Sequence, residues 1–244
     1  MSDPHFSSEL SGLKKRLAGI FAVAAACILT GGFAYHHHFQ RAIRKDASEL
    51  LSSIRQLKTD QIVFWRSDRI NDTNSLLDTP VLSVFFNRLA LNPADKELQA
   101  WMRSRLQVYL KYNRYTSAML AWPDGRILIS AGDAPKSLEQ ETKDLIAKSA
   151  ASGKVELGDF YLGPDGKPHL DVAGKAAAAN GKKLFLVLKV APAEYLYPMV
   201  AQWPTNSATG EVTLGRRDGE SAVALNEFRY DKTTPLRLRD PLDK

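Results

Sequence analysis

The sequence predicts an α+β protein in which a long helical N-terminal part precedes an antiparallel sheet. Three observations support this fold class. An uncharged apolar run occupies 17–35, a segment without proline or glycine covers 39–77, and short strand-like segments joined by tight turns follow residue 117. The order of helices first and hairpin-linked strands afterwards favours a sheet with helices packed on it.

The apolar run at 17–35 is long enough to cross a bilayer, because 19 helical residues at about 1.5 Å each span about 28 Å. A cleaved signal peptide and a lipoprotein site at Cys27 are the alternatives. The apolar core is long, however, and stays apolar for eight residues after Cys27. We therefore expect a cytoplasmic tail at 1–16, an uncleaved transmembrane helix at 17–35, and a periplasmic main domain at the bacterial inner membrane.

The segment at 36–78 predicts a long stalk helix. Apolar residues recur along it in alternating steps of four and three, which is a heptad pattern: Ile43, Ala47, Leu50, Ile54, Leu57, Gln61 and Phe64. This pattern indicates either a homodimer paired through the stalk or a helix packed on its own domain. Pro80 predicts the end of the helix, because a proline disfavours the helical conformation of the residue before it.

A module of helices and strands is predicted at 79–203. Helices are expected at 81–91, 94–112 and 137–152, and strands at 117–122, 126–130, 155–162, 168–176 and 184–190. The turns between strands contain Asp124-Gly125, Asp165-Gly166 and Asn180-Gly181, which are typical of antiparallel hairpins. The expected architecture is a five-stranded antiparallel sheet covered by helices.

The last segment, 204–244, predicts the start of a second module. The stretch VTLGRRDGESAVAL places an Asp-Gly turn between two strands, as AMLAWPDGRILIS does in the first module. About 30 residues follow the start of this hairpin, too few for a second five-stranded unit. We expect an incomplete membrane-proximal module.

These stretches together resemble the double Cache sensor region of bacterial transmembrane receptors. The residues that carry the resemblance are Trp65-Arg66 with Asp68-Arg69 at the stalk end, the hairpin at 118–130, the strands at 157–161 and 169–171, and the connector at 195–204. The resemblance implies two stacked PAS-like modules. It also implies an output of the histidine kinase, diguanylate cyclase or chemotaxis type, whose motifs and second membrane helix this sequence does not contain.

Composition excludes several function classes. The net charge of +6 is spread among interleaved acids, so binding of nucleic acid is not expected. Cys27 is the only cysteine, which excludes a disulfide or thiolate metal site in the main domain. His169 is the one histidine there, and no catalytic motif is present. We expect no enzyme activity, no metal and no cofactor.

The expected partner is a small molecule, either an amino acid, a carboxylate or an amine. Candidate ligand-binding residues are Tyr112, Arg114, Tyr115, Trp122, Arg126, Tyr161, His169 and Asp171. An arginine suits a carboxylate, an aspartate (Asp171 or Asp159) suits an amine, and an aromatic cage suits a cation. The alternative for each residue is a place in the core or on the solvated surface. The alternative function is a membrane-anchored module that binds protein.

Overall fold

The computed structural model describes residues 4–205, 207 and 209–242, without the side chains of 4–18, 20, 22 and 23. The chain divides into two compact units, Met1–Leu57 and Lys58–Lys244. The first unit belongs to helix α1, Pro4–Leu77. Part of the predicted anchor at 17–35 therefore lies outside the described side chains. Among the residues that are described, no helix combines the length and apolar character needed to cross a bilayer.

The second unit begins within α1 and continues through two helices, α2 at Pro80–Leu91 and α3 at Lys96–Asn113. As predicted, α1 ends just before Pro80. Asp95 caps α3, since its carboxylate accepts a hydrogen bond of 3.0 Å from the backbone N–H of Leu98. Arg114 ends α3 in the left-handed conformation, with φ of 58°.

The remaining elements of the second unit are mostly strands, and their bounds follow. They are β1 Ser117–Ala121, β2 Ile127–Gly132, α4 Gln140–Ser152, β3 Glu156–Leu157, β4 Tyr161–Leu162, β5 Pro168–Ala179, β6 Lys182–Val190, a 3-10 turn Pro192–Glu194, α5 Leu196–Ala201, β7 Gly215–Asp218, β8 Ser221–Ala224 and β9 Arg239–Pro241. The main sheet is antiparallel, with the order β2-β1-β6-β5-β3, and β4 also pairs with β5. It has six strands rather than the predicted five, because the segment 155–162 forms two short strands separated by 158–160.

The main sheet is covered by helices on both faces. Leu120, Val172 and Leu186 point to the face packed by α2, α3 and the end of α1. Met119 and Val187, which alternate with them along the strands, belong to a second core with α4. A separate three-stranded sheet, β7-β8-β9, occupies the predicted second module. The assignment of 79–203 and 204–244 as two modules stays a prediction.

Two contacts attach the Lys58–Leu77 part of α1 to the rest of this unit. The guanidinium of Arg69 lies 2.6 Å from Asp68 and 3.0 Å from Asp72, and donates to the carbonyl oxygen of Asn113 at 3.0 Å. The buried ammonium of Lys58 donates to the carbonyl oxygen of Met199 in α5 at 2.6 Å. Burial lowers the pKa of this lysine.

Gly174 on β5 permits the close approach of α1 to the sheet. A Cβ at this position would lie 2.5 Å from Cδ1 of Leu77 and 2.8 Å from Cγ2 of Val155. We expect Gly174→Ala to lower the free energy of unfolding by about 1–3 kcal/mol, because both side chains must shift in a packed core. Urea denaturation measures the change.

Gly215→Ala is the matched control, since its new Cβ would meet Val223 at an ordinary 3.8 Å. Equal stability of the two variants would contradict the close-approach explanation.

Candidate functional site

Three polar residues form a row across three neighbouring strands of the main sheet. Lys189 on β6 is in register with Ser117 on β1 and with Asp171 on β5. Because side chains alternate along a strand, all three share the face on which Met119 and Val187 pack against α4. All three are buried, at 3% exposure or less. The row is a polar patch inside an otherwise apolar interface.

Asp171 is the centre of this patch. Its Oδ2 accepts a hydrogen bond from the Tyr161 hydroxyl at 2.8 Å and another, short one from the Thr142 hydroxyl on α4. Its Oδ1 is buried and has no hydrogen-bond partner in the described part of the chain. A buried carboxylate oxygen without a donor is costly, so the arrangement is incomplete as a purely structural feature.

Lys189 is the nearest counter-charge in the patch. Its ammonium lies 3.2 Å from each carboxylate oxygen of Glu139, which precedes α4. It also lies 5.4 Å from the centre of the Tyr161 ring. Lys189 thus forms its ion pair with Glu139, and the Oδ1 of Asp171 has no hydrogen-bond partner in the described part of the chain.

Burial controls the protonation of the patch. Loss of solvation raises the pKa of Asp171, and this effect outweighs the opposing effects of Lys189 and of the two hydroxyl donors. Burial and the nearby Asp171 carboxylate raise the pKa of Tyr161 above its ordinary value. The phenol therefore keeps its proton and can serve Asp171 as a donor at physiological pH.

Asp171 also lines a cavity of about 860 Å³ beside α4. The apolar lining comes from α1, α4, β3 and residues that flank the other strands, and consists of Ile62, Leu145, Leu157, Phe160, Leu214 and Leu225. This volume and this lining are typical of small-molecule sites, where apolar walls surround a few polar groups.

The charged lining of the cavity favours a cationic group. Four acids line it, namely Glu141, Asp144, Asp159 and Asp171, against three bases, Arg66, Lys148 and Arg216. Two of the bases are already paired, since Arg216 lies 2.7 Å from Asp159 and Lys148 lies 3.0 Å from Glu156. The cavity therefore offers unpaired negative charge together with one base, Arg66, that has no ion-pair partner among the described residues.

The structure brings three of the predicted ligand-binding residues together. Tyr161 and Asp171 line the cavity and share a hydrogen bond. His169 lies opposite Tyr161 in the β4–β5 pair, with ring centres 6.0 Å apart. Its Nε2 is 3.0 Å from Oδ1 of Asp165 in the preceding turn. His169 therefore supports Tyr161 from outside the cavity.

Two more predicted residues lie at the end of α3, away from this cavity. The hydroxyl of the buried Tyr115 donates to Asp72 at 3.1 Å, and its ring lies 5.0 Å from the guanidinium carbon of Arg69. Arg114 lies over the Tyr195 ring at 4.6 Å. These contacts join helices to one another.

The last three predicted residues are near the surface. Arg126 is exposed and pairs with Asp124 at 2.7 Å within the β1–β2 turn. Trp122 packs at the margin of the main core. Tyr112 is 73% exposed on the outer side of α3. That the eight predicted residues form a single ligand site stays a prediction.

Sequence reasoning missed Thr142, Glu139, Lys189 and Arg66. A signal for Lys189 was present, because a lysine in the apolar strand LFLVLKV needs a buried partner. Counting back from the Asn180-Gly181 turn brings it close to Asp171 on the neighbouring strand. No local signal marks Thr142 or Arg66, since both contribute through tertiary packing.

The patch offers hydrogen-bond acceptors to a ligand. No group of three or more potential metal ligands occurs in the described part of the chain. The buried Oδ1 of Asp171 is an acceptor without a partner in the described part of the chain, and an ammonium group is the donor that best matches a buried carboxylate. The arrangement is therefore suited to holding an amine.

Neither a search of protein-family models nor one of curated proteins found a match to this chain. Solved structures do match. The ligand-binding domain of the Pseudomonas fluorescens chemoreceptor CtaA in complex with L-isoleucine aligns with a TM-score of 0.53 at 17% identity, over 81% of this chain and 74% of that one. Its complex with L-leucine gives a TM-score of 0.51 at 18% identity, over 81% and 76%.

The sensory domain of the Campylobacter jejuni chemoreceptor Tlp3 (CcmL) matches with a TM-score of 0.50 at 15% identity, over 65% of this chain. The chain spans 66% of that domain, slightly less than two thirds of its length. At these identities the matches show the fold. The chain has the fold of chemoreceptor sensory domains, and the fold that the resemblance implied is confirmed.

The raised pKa of Asp171 predicts a pH-dependent cost of folding. An unfolded aspartate ionises near pH 4, whereas the folded Asp171 keeps its proton to higher pH. Between these two values the native state binds more protons than the unfolded state, so the free energy of unfolding falls as pH rises. Asp171→Asn removes this contribution. Denaturation between pH 4 and 8 should show the variant gaining stability relative to the native chain as pH increases.

Asp72 also has a raised pKa, but it is present in both proteins and cancels in the difference. A stability difference independent of pH would contradict the assignment.

Proposed function

We propose that this chain is the extracytoplasmic ligand-sensing region of a membrane-anchored bacterial signal-transduction receptor, and that it binds a free amino acid. The observation that carries this proposal is the buried Asp171, whose Oδ1 has no partner in the described structure and whose side chain lines a cavity of about 860 Å³. An amino acid's ammonium group supplies the missing donor.

The rest of the cavity supports an amino acid rather than a simple amine. Arg66, the lining base without an ion-pair partner in the described part of the chain, is available for a carboxylate. Leu145, Leu157 and Leu225 offer apolar surface to a branched side chain. The CtaA domain, which shares this fold, was solved with L-isoleucine and with L-leucine.

The route of the signal would be α1. Ile62 and Arg66 place two α1 side chains in the cavity lining, so a ligand touches this helix directly. In the proposed organisation, 1–16 is a cytoplasmic tail, 17–35 a transmembrane helix and 36–78 the stalk. The segments 79–203 and 204–244 are the distal module and the beginning of the proximal one. The output of such a receptor would be of the two-component or a related type.

A homodimer through the stalk is part of the proposal. Ile54 of the heptad pattern is 6% exposed, but Ile43, Leu50 and Leu57 form an apolar row, spaced seven residues apart, that is 44–51% exposed. A second copy in parallel would bury it by the packing that heptads favour. In such a dimer, a ligand-induced shift of α1 would change the position of the two paired stalk helices relative to each other.

Thermal-shift measurements on the full chain test the ligand. We expect L-isoleucine, L-leucine or another amino acid to raise the melting temperature, and the corresponding acids without the amino group to fail. Asp171→Asn should weaken binding about 10- to 100-fold, the usual effect of losing a charge-assisted hydrogen bond.

Asp124→Asn is the matched control, because Asp124 is an exposed carboxylate in a turn. Stabilisation that survives in Asp171→Asn would refute this site. The absence of stabilisation by any amino acid, carboxylate or amine would favour the alternative function, a membrane-anchored module that binds protein.

Substitutions in the heptad row test the dimer. Leu50→Glu combined with Leu57→Glu should convert a dimer into monomers, because two like charges would face each other across each seam position. Light scattering after size exclusion gives the molecular mass. Ser52→Glu, at an exposed position outside the row, should stay dimeric. Equal masses for all variants would argue against this seam.

A further inference from the structure

Helix α3 carries two stripes of side chains with different surroundings. Leu98, Met102, Leu106 and Leu110 form one stripe, which is buried in the main core. The other stripe, Trp101, Arg105, Val108 and Tyr112, follows the same helical spacing on the exposed side. Trp101 is 40% exposed although it is a large apolar side chain. Exposed aromatic and apolar side chains in helical register suggest a binding surface.

This second stripe forms one wall of a groove of about 580 Å³. The opposite wall is the end of α1, with Asp72, Ser75 and Leu76. Thr79, which precedes α2, and the start of α2, with Val81 and Leu82, complete it. We call this space the outer groove. It has the volume and the largely apolar lining of a small-molecule site, and it uses none of the residues that line the Asp171 cavity.

Two of the three aromatic side chains that line the outer groove, Trp101 and Tyr109, are fixed before any ligand arrives. The Trp101 indole packs against the Phe85 ring, with centres 4.4 Å apart. The Tyr109 hydroxyl donates to the carbonyl oxygen of Asp72 at 3.1 Å. A wall whose rings are already held loses little entropy on binding.

The outer groove contains two charged side chains, Asp72 and Arg105, and only one of them is available to a ligand. Asp72 is occupied, because its Oδ2 accepts from Arg69 at 3.0 Å and from Tyr115 at 3.1 Å. Arg105 is exposed and has no ion pair or hydrogen bond within the described residues. The group available to a ligand is therefore a guanidinium, which binds carboxylates through two parallel hydrogen bonds.

We propose that the outer groove is a second ligand site, which binds a small aromatic carboxylate. Arg105 holds the carboxylate, and the flat ring lies against Trp101 and Tyr112, whose side chains gain burial from it. A planar ring suits the indole face, and the groove's apolar area exceeds what a simple organic acid such as acetate covers. This site does not depend on the proposed function, because the two cavities share no residue.

Calorimetric titration of the full chain with indole-3-acetate tests the proposal, with indole-3-acetamide as the neutral probe of the same shape. We expect saturable binding, with the acid preferred at least tenfold. Arg105→Gln should abolish this preference and leave the affinity for the amide unchanged. Trp101→Leu should weaken both probes about tenfold.

Arg103→Gln is the matched control, since Arg103 is an exposed arginine on the same helix outside the groove and should leave the preference intact. Asp171→Asn should also have no effect, which separates this site from the amine site. Three results would overturn the proposal: no saturable binding of the acid, the same loss in Arg103→Gln as in Arg105→Gln, or loss of binding in Asp171→Asn. Thermal melts of each variant confirm folding.

Discussion

The antiparallel pairing of β5 with β6 is the constraint on which the rest of the structure depends. These two strands lie in the middle of the sheet, with β1 on one side and β3 and β4 on the other. Their register places Asp171 opposite Lys189, inside the interface that α4 covers. Since both charges are buried, each must have partners, and Glu139, Thr142 and Tyr161 are positioned by that requirement.

The helices on the opposite face of the sheet serve a different purpose. Arg69 of α1 donates to the carbonyl oxygen of Asn113 at the C-terminal end of α3, and Asp72 of α1 pairs with the same guanidinium. This network holds the two walls of the outer groove at a fixed separation. The fold thus separates two environments. One is an acidic cavity beside α4 that suits an amine, and the other is an aromatic groove among α1, α2 and α3 that suits a carboxylate.

Most of the elements could be predicted from the sequence, because their ends are marked locally by Pro80, Gly153 and the Asn180-Gly181 turn. The candidate site could be predicted only in part. β5 contains a bulge at Ala176, which shifts the register by one residue. Without that shift, Asp171 would be opposite Val190. No local pattern in the sequence reveals the bulge. None shows either that Arg114 takes the left-handed conformation, so that Tyr112 lies exposed on α3 while Tyr115 is buried.

The buried amine of Lys58 offers a way to measure how often α1 separates from α5. Its side chain is enclosed and hydrogen-bonded to the carbonyl oxygen of Met199, so an acylating reagent can reach it only when α1 separates from α5. Most other lysines of the described chain are exposed and react at once. The rate of acylation at this one residue would therefore report how often α1 separates from α5.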